Sequence, residues 1–220
     1  MEQENDLDNI IFKNDKDAVY DILKHRLVYL HYQPGEIINE KDLCEEFGIG
    51  RTPLRELLLR LQNKKLLKII PRFGTFAEEI NLLELKNLYQ IREALEGLSA
   101  YLAVDTITED KVAAMKLLIA EIKEQTRLKN SGQLALLDQQ FHLILRSCVL
   151  NQPLNEICEE VGDRCTRGWY YHMRNIGTVA ASMINLEDIL QALIKQDHEQ
   201  AKTAMEIHIR EFRKIIMDVL

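Results

Sequence analysis

Apolar positions in the first quarter of the chain recur every three to four residues. Val19, Ile22, Leu23, Leu27 and Leu30 predict a helix that starts near Asp15 and stops at QPGE, where Pro34-Gly35 has the residues of a type II turn. Asn39 stands where it can cap a short helix, with Asp42 in the first turn, that ends at Phe47 before Gly48-Ile49-Gly50. A third helix opens at Thr52-Pro53, with Thr52 as N-cap and Pro53 at the first helical position, and runs to about Asn63. The period then changes. LLKII and FAEE read as two short strands around the turn RFGT, Gly74 supplying the backbone freedom.

Beyond Glu79 the helical period takes over almost completely. Leu85, Leu88, Ile91, Leu95, Leu98 and Leu102 step by threes and fours, as do Val112, Met115, Ile119 and Ile122. Further helices are expected at about 133–150, 153–173, 183–195 and 198–219, with breaks at DTIT, NSG, NQP and NIG. The expected fold is mainly α: an N-terminal winged helix-turn-helix, three helices plus a two-stranded wing, followed by an all-α antiparallel helical bundle. Its expected divisions are a polar, acidic tail at 1–14, the winged unit at 15–79 and the bundle at 80–220.

Composition narrows the class. Apolar residues make up 46% of the 220, and Gly and Pro are few, as in a helix-rich globular chain. No apolar run approaches the roughly 18 residues that span a bilayer, and MEQENDLDN is too acidic for a signal peptide, so a cytoplasmic protein is expected. Cys44, Cys148, Cys158 and Cys165 form no CxxC pair and read as reduced, packed residues.

The net charge of −7 hides an asymmetry. Residues 51–72 carry Arg51, Arg55, Arg60, Lys64, Lys65, Lys68 and Arg72 against Glu56 alone, while residues 73–220 are net negative. A basic island on an acidic body points to a polyanion met by one small surface. At 100° per residue Leu54, Leu57, Leu58 and Leu61 occupy a stripe about 100° wide that packs inward, leaving Arg51, Arg55 and Gln62 along its edge. Such an edge enters a major groove, where an arginine near a helix N-terminus grips guanine O6 and N7. The helix N-terminus and Thr52 favour phosphate oxygens, and Arg72 at the hairpin tip reaches the flanking backbone or minor groove.

The span PGEIINEKDLCEEFGIGRTPLRELLLRLQNKKLLKIIPRFGTF resembles the DNA-binding domain of the bacterial GntR family, with its PG turn, G-[VI]-SRTPVREAL helix and Gly-containing wing. Carried over by position, the resemblance implies DNA contacts from Lys41, Arg51, Thr52, Arg55, Arg72 and Gly74. Gly50 stands where the family usually has Ser.

In the bundle, Asp138 and His142 are i,i+4 on one helix face, with Leu134, Leu145 and Val149 around them. His208 falls in the inward stripe of Ala201, Met205 and Phe212. A carboxylate and imidazoles on apolar faces need partners: either a metal ion, for which Asp/His/His suits Zn²⁺, Mn²⁺ or Ni²⁺, or a closed hydrogen-bond network.

This part resembles the FCD domain of the FadR subfamily, through D-x2-FH-x2-L at Asp138, Phe141 and His142, IREALEGLSAYLA, and AKTAMEIHI. The resemblance implies a divalent metal held by Asp138, His142 and His208, and a small carboxylate effector completing its coordination, with Arg92 beside that carboxylate. One departure stands out: the family's third His position is Leu186, which cannot ligate, and Asn185, His172 and His198 are the candidate substitutes. The competing reading is a metal-free pocket in which Asp138, His142 and His208 bond the effector or each other. Arg92 has the alternative of a surface salt bridge to a neighbouring acid such as Glu96, and Arg164 and His172 are further candidates for the cavity wall.

Together these features predict a repressor, not an enzyme: a homodimer that binds a palindromic operator in double-stranded DNA under the control of a small organic acid. The rival is a metal-dependent enzyme on the bundle, but HExxH, GxSxG and phosphate-binding Gly loops are missing. An adaptor working through its helical faces leaves the cations at 51–72 unexplained.

Overall fold

The computed structural model describes residues 15–128, 130–176 and 186–217. The acidic tail at 1–14 and Asn185 lie outside the described residues. The chain divides into two compact units, one ending at Asn81 and one starting at Leu82.

In the first unit α1 spans Lys16–Val28, α2 Glu40–Phe47 and α3 Arg51–Asn63. Asp15 caps α1 through the N–H groups of Asp17 and Ala18, and Asn39 caps α2 through that of Lys41 at 3.0 Å. The Pro34-Gly35 turn forms as expected: Gly35 takes φ 78°, and Glu36 N–H donates to the Gln33 carbonyl at 2.9 Å. Gly48 ends α2 at φ 64°, in the left-handed region that glycine enters without a Cβ penalty.

The start of α3 differs from expectation. Its N-cap is Gly50, not Thr52, and no side chain caps the first turn. Arg51, Thr52 and Pro53 are therefore its first three residues. Pro53 is tolerated there because the N–H groups of a first turn have no partner inside the helix.

The wing is also larger than the expected two strands. Leu67–Ile70 (β2) and Gly74–Ala77 (β3) pair antiparallel, and Ile37–Ile38 (β1) adds a third strand on the other side of β3, with Ile38 opposite Thr75. Two residues are too short a run to show alternation, so the sequence gives little sign of β1. Thr75, buried under that pairing, donates to Glu40 at 2.6 Å and ties the wing to α2. Leu54, Leu57, Leu58 and Leu61 of α3 are at most 1% exposed and pack with Val19, Leu23, Leu27, Leu43 and Leu66. Each such burial stabilises by about 1.5–3 kcal/mol relative to an exposed side chain, which fixes the inward face of α3 and hence its outward one.

The second unit is a helical bundle: α4 Leu82–Ala103, α5 Glu109–Arg127, α6 Ser131–Arg146, α7 Gln152–Ile176, α8 Leu186–Ile194 and α9 His198–Met217. Helix α6 stops four residues before the expected end at 150. Cys148 and Val149 continue the apolar pattern because they turn inward at 5% exposure each, not because they are helical. Asn151 then starts α7, its Oδ1 accepting from Leu154 N–H at 3.1 Å.

Helix α4 packs against α6, α7, α8 and α9. Two glycines permit close approach: a Cβ on Gly97 would lie 2.8 Å from Glu206 Cγ of α9, and one on Gly168 of α7 would lie 2.6 Å from both Leu85 methyls. The core is one apolar cluster through all six helices, with Trp169, Tyr89 and Phe141 the largest fully buried side chains in it.

Candidate functional site

On the winged unit, α3 turns Arg51, Thr52 and Arg55 to solvent from the side opposite its buried leucines. Among the described residues Arg51, Arg55 and Arg72 form no ion pair. Arg60 is different: Nη1 lies 3.4 Å from Asp17 and its guanidinium sits 4.0 Å over the Tyr20 ring, so it braces α3 against α1. Lys41 is exposed at the start of α2, with Nζ 3.6 Å from Glu45. The uncapped first turn of α3 presents donors and a positive dipole end beside Arg51 and Arg55.

At the wing tip Phe73 N–H closes the turn onto the Ile70 carbonyl at 3.0 Å. Pro71 and Arg72 occupy the central positions, and Arg72 takes φ 68°, a region that favours glycine. Gly74 follows at φ 126° and opens β3. Phe73 projects between them at 79% exposure. The sequence carries no sign of Phe73, because an aromatic in a short turn has no periodic signal.

In the bundle, three of the residues singled out from sequence come together from two helices. Asp138 and His142 of α6 and His208 of α9 each offer a ligand atom within 4.8 Å of the others, and all are buried. His208 Nε2 lies 3.1 Å from Asp138 Oδ1, and His142 Nε2 lies 3.7 Å from Asp138 Oδ2.

Arg92 and Glu96 of α4 adjoin this cluster. Arg92 is 6% exposed, so its contact with Glu96, Nε to Oε1 at 3.7 Å, is an interior ion pair and not a surface one. Glu96, fully buried, also receives Arg146 Nη1 at 2.9 Å and places Oε2 3.1 Å from His142 Nδ1. In the sequence Glu96 stands out only as a partner for Arg92, and Arg146 not at all. Their signal was faint: acid and base on helices separated by 50 residues.

The charges follow from this packing. Burial alone would raise the Asp138 carboxyl, but His142 and His208 beside it outweigh that and hold it down at about 2. Burial likewise disfavours the Glu96 charge, and His142, Arg146 and Arg92 overcome it, keeping Glu96 ionised. His142 is pushed below its ordinary value by burial, partly opposed by Glu96 and Asp138, so its ring is neutral and keeps a lone pair. Burial lifts the Cys165 thiol to about 12, which leaves it unreactive.

Within the cluster of Arg92, Glu96, Asp138, His142 and His208, four buried atoms lack a hydrogen-bond partner: Arg92 Nε, Glu96 Oε2 and both ring nitrogens of His142. Buried polar atoms are ordinarily paired, and here the unpaired ones belong to or adjoin His142. The donor set fits a divalent transition metal: one carboxylate, two imidazoles and unpartnered ring nitrogens.

Of the candidate substitutes for the third His, the two among the described residues do not join it. Leu186 is 2% exposed, and His198 pairs with Asp105 at 2.9 Å. His172 is buried but is not among the clustered ligands. Arg164 is bound to Glu84. A small cavity of about 20 Å³ touches the site between Tyr89, Arg92, Asp138, Trp169 and Phe212, room for about one water.

Comparison with known proteins agrees with both units. Residues 15–77 match the model for bacterial regulatory proteins of the gntR family, and residues 87–211 match that for the FCD domain. The chain is 24% identical over 201 residues to the HTH-type transcriptional repressor RspR of Escherichia coli K12, covering 91% of this chain and 88% of that one. It is 31% identical over 137 residues to the Nta operon transcriptional regulator of Aminobacter aminovorans, covering 62% and 65%. Among solved structures, E. coli McbR/YncC superposes with a TM-score of 0.80 at 25% identity, over 92% of this chain and 97% of that one. These relatives are regulators, so the rival reading as a metal-dependent enzyme is set aside. With its winged unit matching the gntR model and its bundle the FCD model, the chain belongs to the GntR family of bacterial transcription regulators, with an FCD domain as its second unit.

Proposed function

We propose that this DNA-binding regulator acts as a repressor on a palindromic operator, as a homodimer, and that a small organic acid taken up in the bundle controls its grip. The observation that carries the DNA contacts is the free state of Arg51 and Arg55: exposed, unpaired among the described residues, and borne on a rod anchored by four leucines. Arg51 and Arg55 read base edges in the major groove, Thr52 and the first turn of α3 take phosphate, and Lys41 fixes register from α2. Arg72, with Gly74 behind it, reaches the flanking groove from the wing. Two copies double contacts that one small domain makes weakly. The repressor reading draws on RspR, which is named as one.

Asp138, His142 and His208 are the residues that would hold the metal, which when bound supplies a Lewis-acidic positive charge for an organic anion. With leucine at position 186, effector and solvent would complete the coordination of a bound metal. Arg92 faces the same small cavity and adds a fixed positive charge. A cavity that admits about one water cannot receive an organic acid unless its walls move. Uptake is therefore coupled to displacement of side chains on α4, α6, α7 and α9, and a ligand that favours one arrangement shifts the population.

The test is a duplex selected from a random pool by the purified protein, titrated with salt and then with a panel of hydroxy- and dicarboxylic acids. Affinity should fall steeply with salt, and at least one acid should change it. A flat salt response removes the groove assignment. A graded salt response that no acid alters, with or without zinc, removes the effector assignment alone.

A further inference from the structure

Glu96 divides its two oxygens between different tasks. Oε1 serves both arginines, at 2.9 Å from Arg146 Nη1 and 3.7 Å from Arg92 Nε. Oε2 takes neither; it stands 3.1 Å from His142 Nδ1 and has no other hydrogen-bond partner. A counter-ion for the arginines alone needs only the first oxygen. The second has a separate use.

An ionised carboxylate only accepts hydrogen bonds, so the ring nitrogen facing it must carry the proton. A neutral imidazole holds one proton, and with Nδ1–H directed at Glu96 the lone pair falls on Nε2, the atom that faces Asp138 Oδ2 at 3.7 Å. The opposite tautomer would present an N–H to the Asp138/His208 pair and would have to move that proton before ligating, as His208, whose Nε2 faces Asp138, must. The contact is near but out of line, as Oε2 and Nδ1 register no formed hydrogen bond. A small ring rotation would align it, and a metal held by Asp138 and His142 Nε2 would favour that rotation.

We propose that Glu96 is a positioning residue that selects the metal-competent tautomer of His142, with Arg146 holding Glu96 in place. This rests on the metal reading above. Carboxylate partners of this kind typically change metal affinity ten- to a hundredfold when removed. Arg146 matters through Oε1: it holds the carboxylate in one rotamer, so that Oε2 cannot swing away from the ring.

The experiment uses the full chain with Glu96→Gln, which keeps volume but offers both a donor and an acceptor. Long-range ¹⁵N–¹H correlation spectra of the metal-free parent should show His142 protonated at Nδ1, a reading that needs no variant. In the Gln variant, shown folded by circular dichroism, the Nε2–H form should gain population. Zinc affinity, measured by competition with a chromophoric chelator, should fall ten- to a hundredfold.

A parent ring protonated at Nε2, or equal zinc affinity in parent and variant, overturns the proposal. A parent that takes up no zinc yet shows the Nδ1–H ring removes the metal reading and supports the Glu96–His142 pairing.

Discussion

His208 Nε2 stands 3.1 Å from Asp138 Oδ1, so residues 70 apart in sequence share a buried, charge-assisted hydrogen bond between α9 and α6. Asp138→Asn weakens that bond and removes the proposed anionic metal ligand at little change of shape. The metal-free protein should lose about 1–3 kcal/mol in urea unfolding. The parent should gain about 2.7 kcal/mol at zinc concentrations a hundredfold above its dissociation constant, and the variant should gain almost none. Equal zinc gains in both proteins would show that any metal binds elsewhere.

Arg55 and Arg60 occupy the same helix, and their surroundings predict opposite behaviour. Arg55 has no protein partner among the described residues, so Arg55→Ala should leave folding nearly unchanged and cost about 1–3 kcal/mol of operator affinity, with relaxed sequence preference. Arg60 pairs with Asp17 and stacks on Tyr20. Arg60→Ala should cost about 0.5–1 kcal/mol of stability and little affinity. Fluorescence anisotropy with a labelled duplex, beside urea unfolding, separates the two.

The arginine pair also shows how far sequence reached. The leucine spacing fixed which side of α3 is buried, and with it the exposure of Arg51 and Arg55. It could not tell Arg60 from Arg55, because the acid and the ring that capture Arg60 come from α1, 40 or more residues away. The Asp138/His142/His208 set was legible because i,i+4 spacing and apolar stripes are local signals. Glu96 was hidden for the opposite reason: only the packing of α4 against α6 gives its second oxygen something to face. Strand β1 and the end of α6 at Arg146 escaped on similar grounds. A two-residue strand has no period, and the inward turn of Cys148 and Val149 imitates a continuing helix.

His172 is buried with Nε2 unpartnered, and burial pushes its pKa below the ordinary 6.5. The unfolded chain therefore binds a proton near 6.5 that the folded protein resists. Stability is fully present above that value and declines as pH falls toward the depressed folded value, by about 1.4 kcal/mol for each pH unit between the two. His142 acts in the same direction. Asp138, held at about 2, titrates below this range. Urea midpoints should fall between about pH 7.5 and pH 5.5, and His172→Phe, which removes a buried unpaired nitrogen, should flatten the decline. A parent midpoint that is level across that interval would contradict the neutral, buried ring.

Arg72 holds φ 68° at the tip of the wing, and Gly74, two residues on, holds φ 126°. An arginine in the left-handed region costs about 1–2 kcal/mol that a glycine avoids, although a second glycine in the turn adds entropy to the unfolded chain. Arg72→Gly should therefore be neutral to stabilising, by up to about 1 kcal/mol in urea unfolding. On the proposed wing contact, binding should move the other way, because a cation is lost. The salt slope of operator binding should shrink by about one, the signature of a single phosphate contact. Phe73→Ala, at the neighbouring exposed position, should lower affinity without changing that slope, since an apolar ring displaces no counter-ion. If Arg72→Gly leaves both slope and affinity at the parent values, the strained backbone at the wing tip has a purpose other than DNA contact.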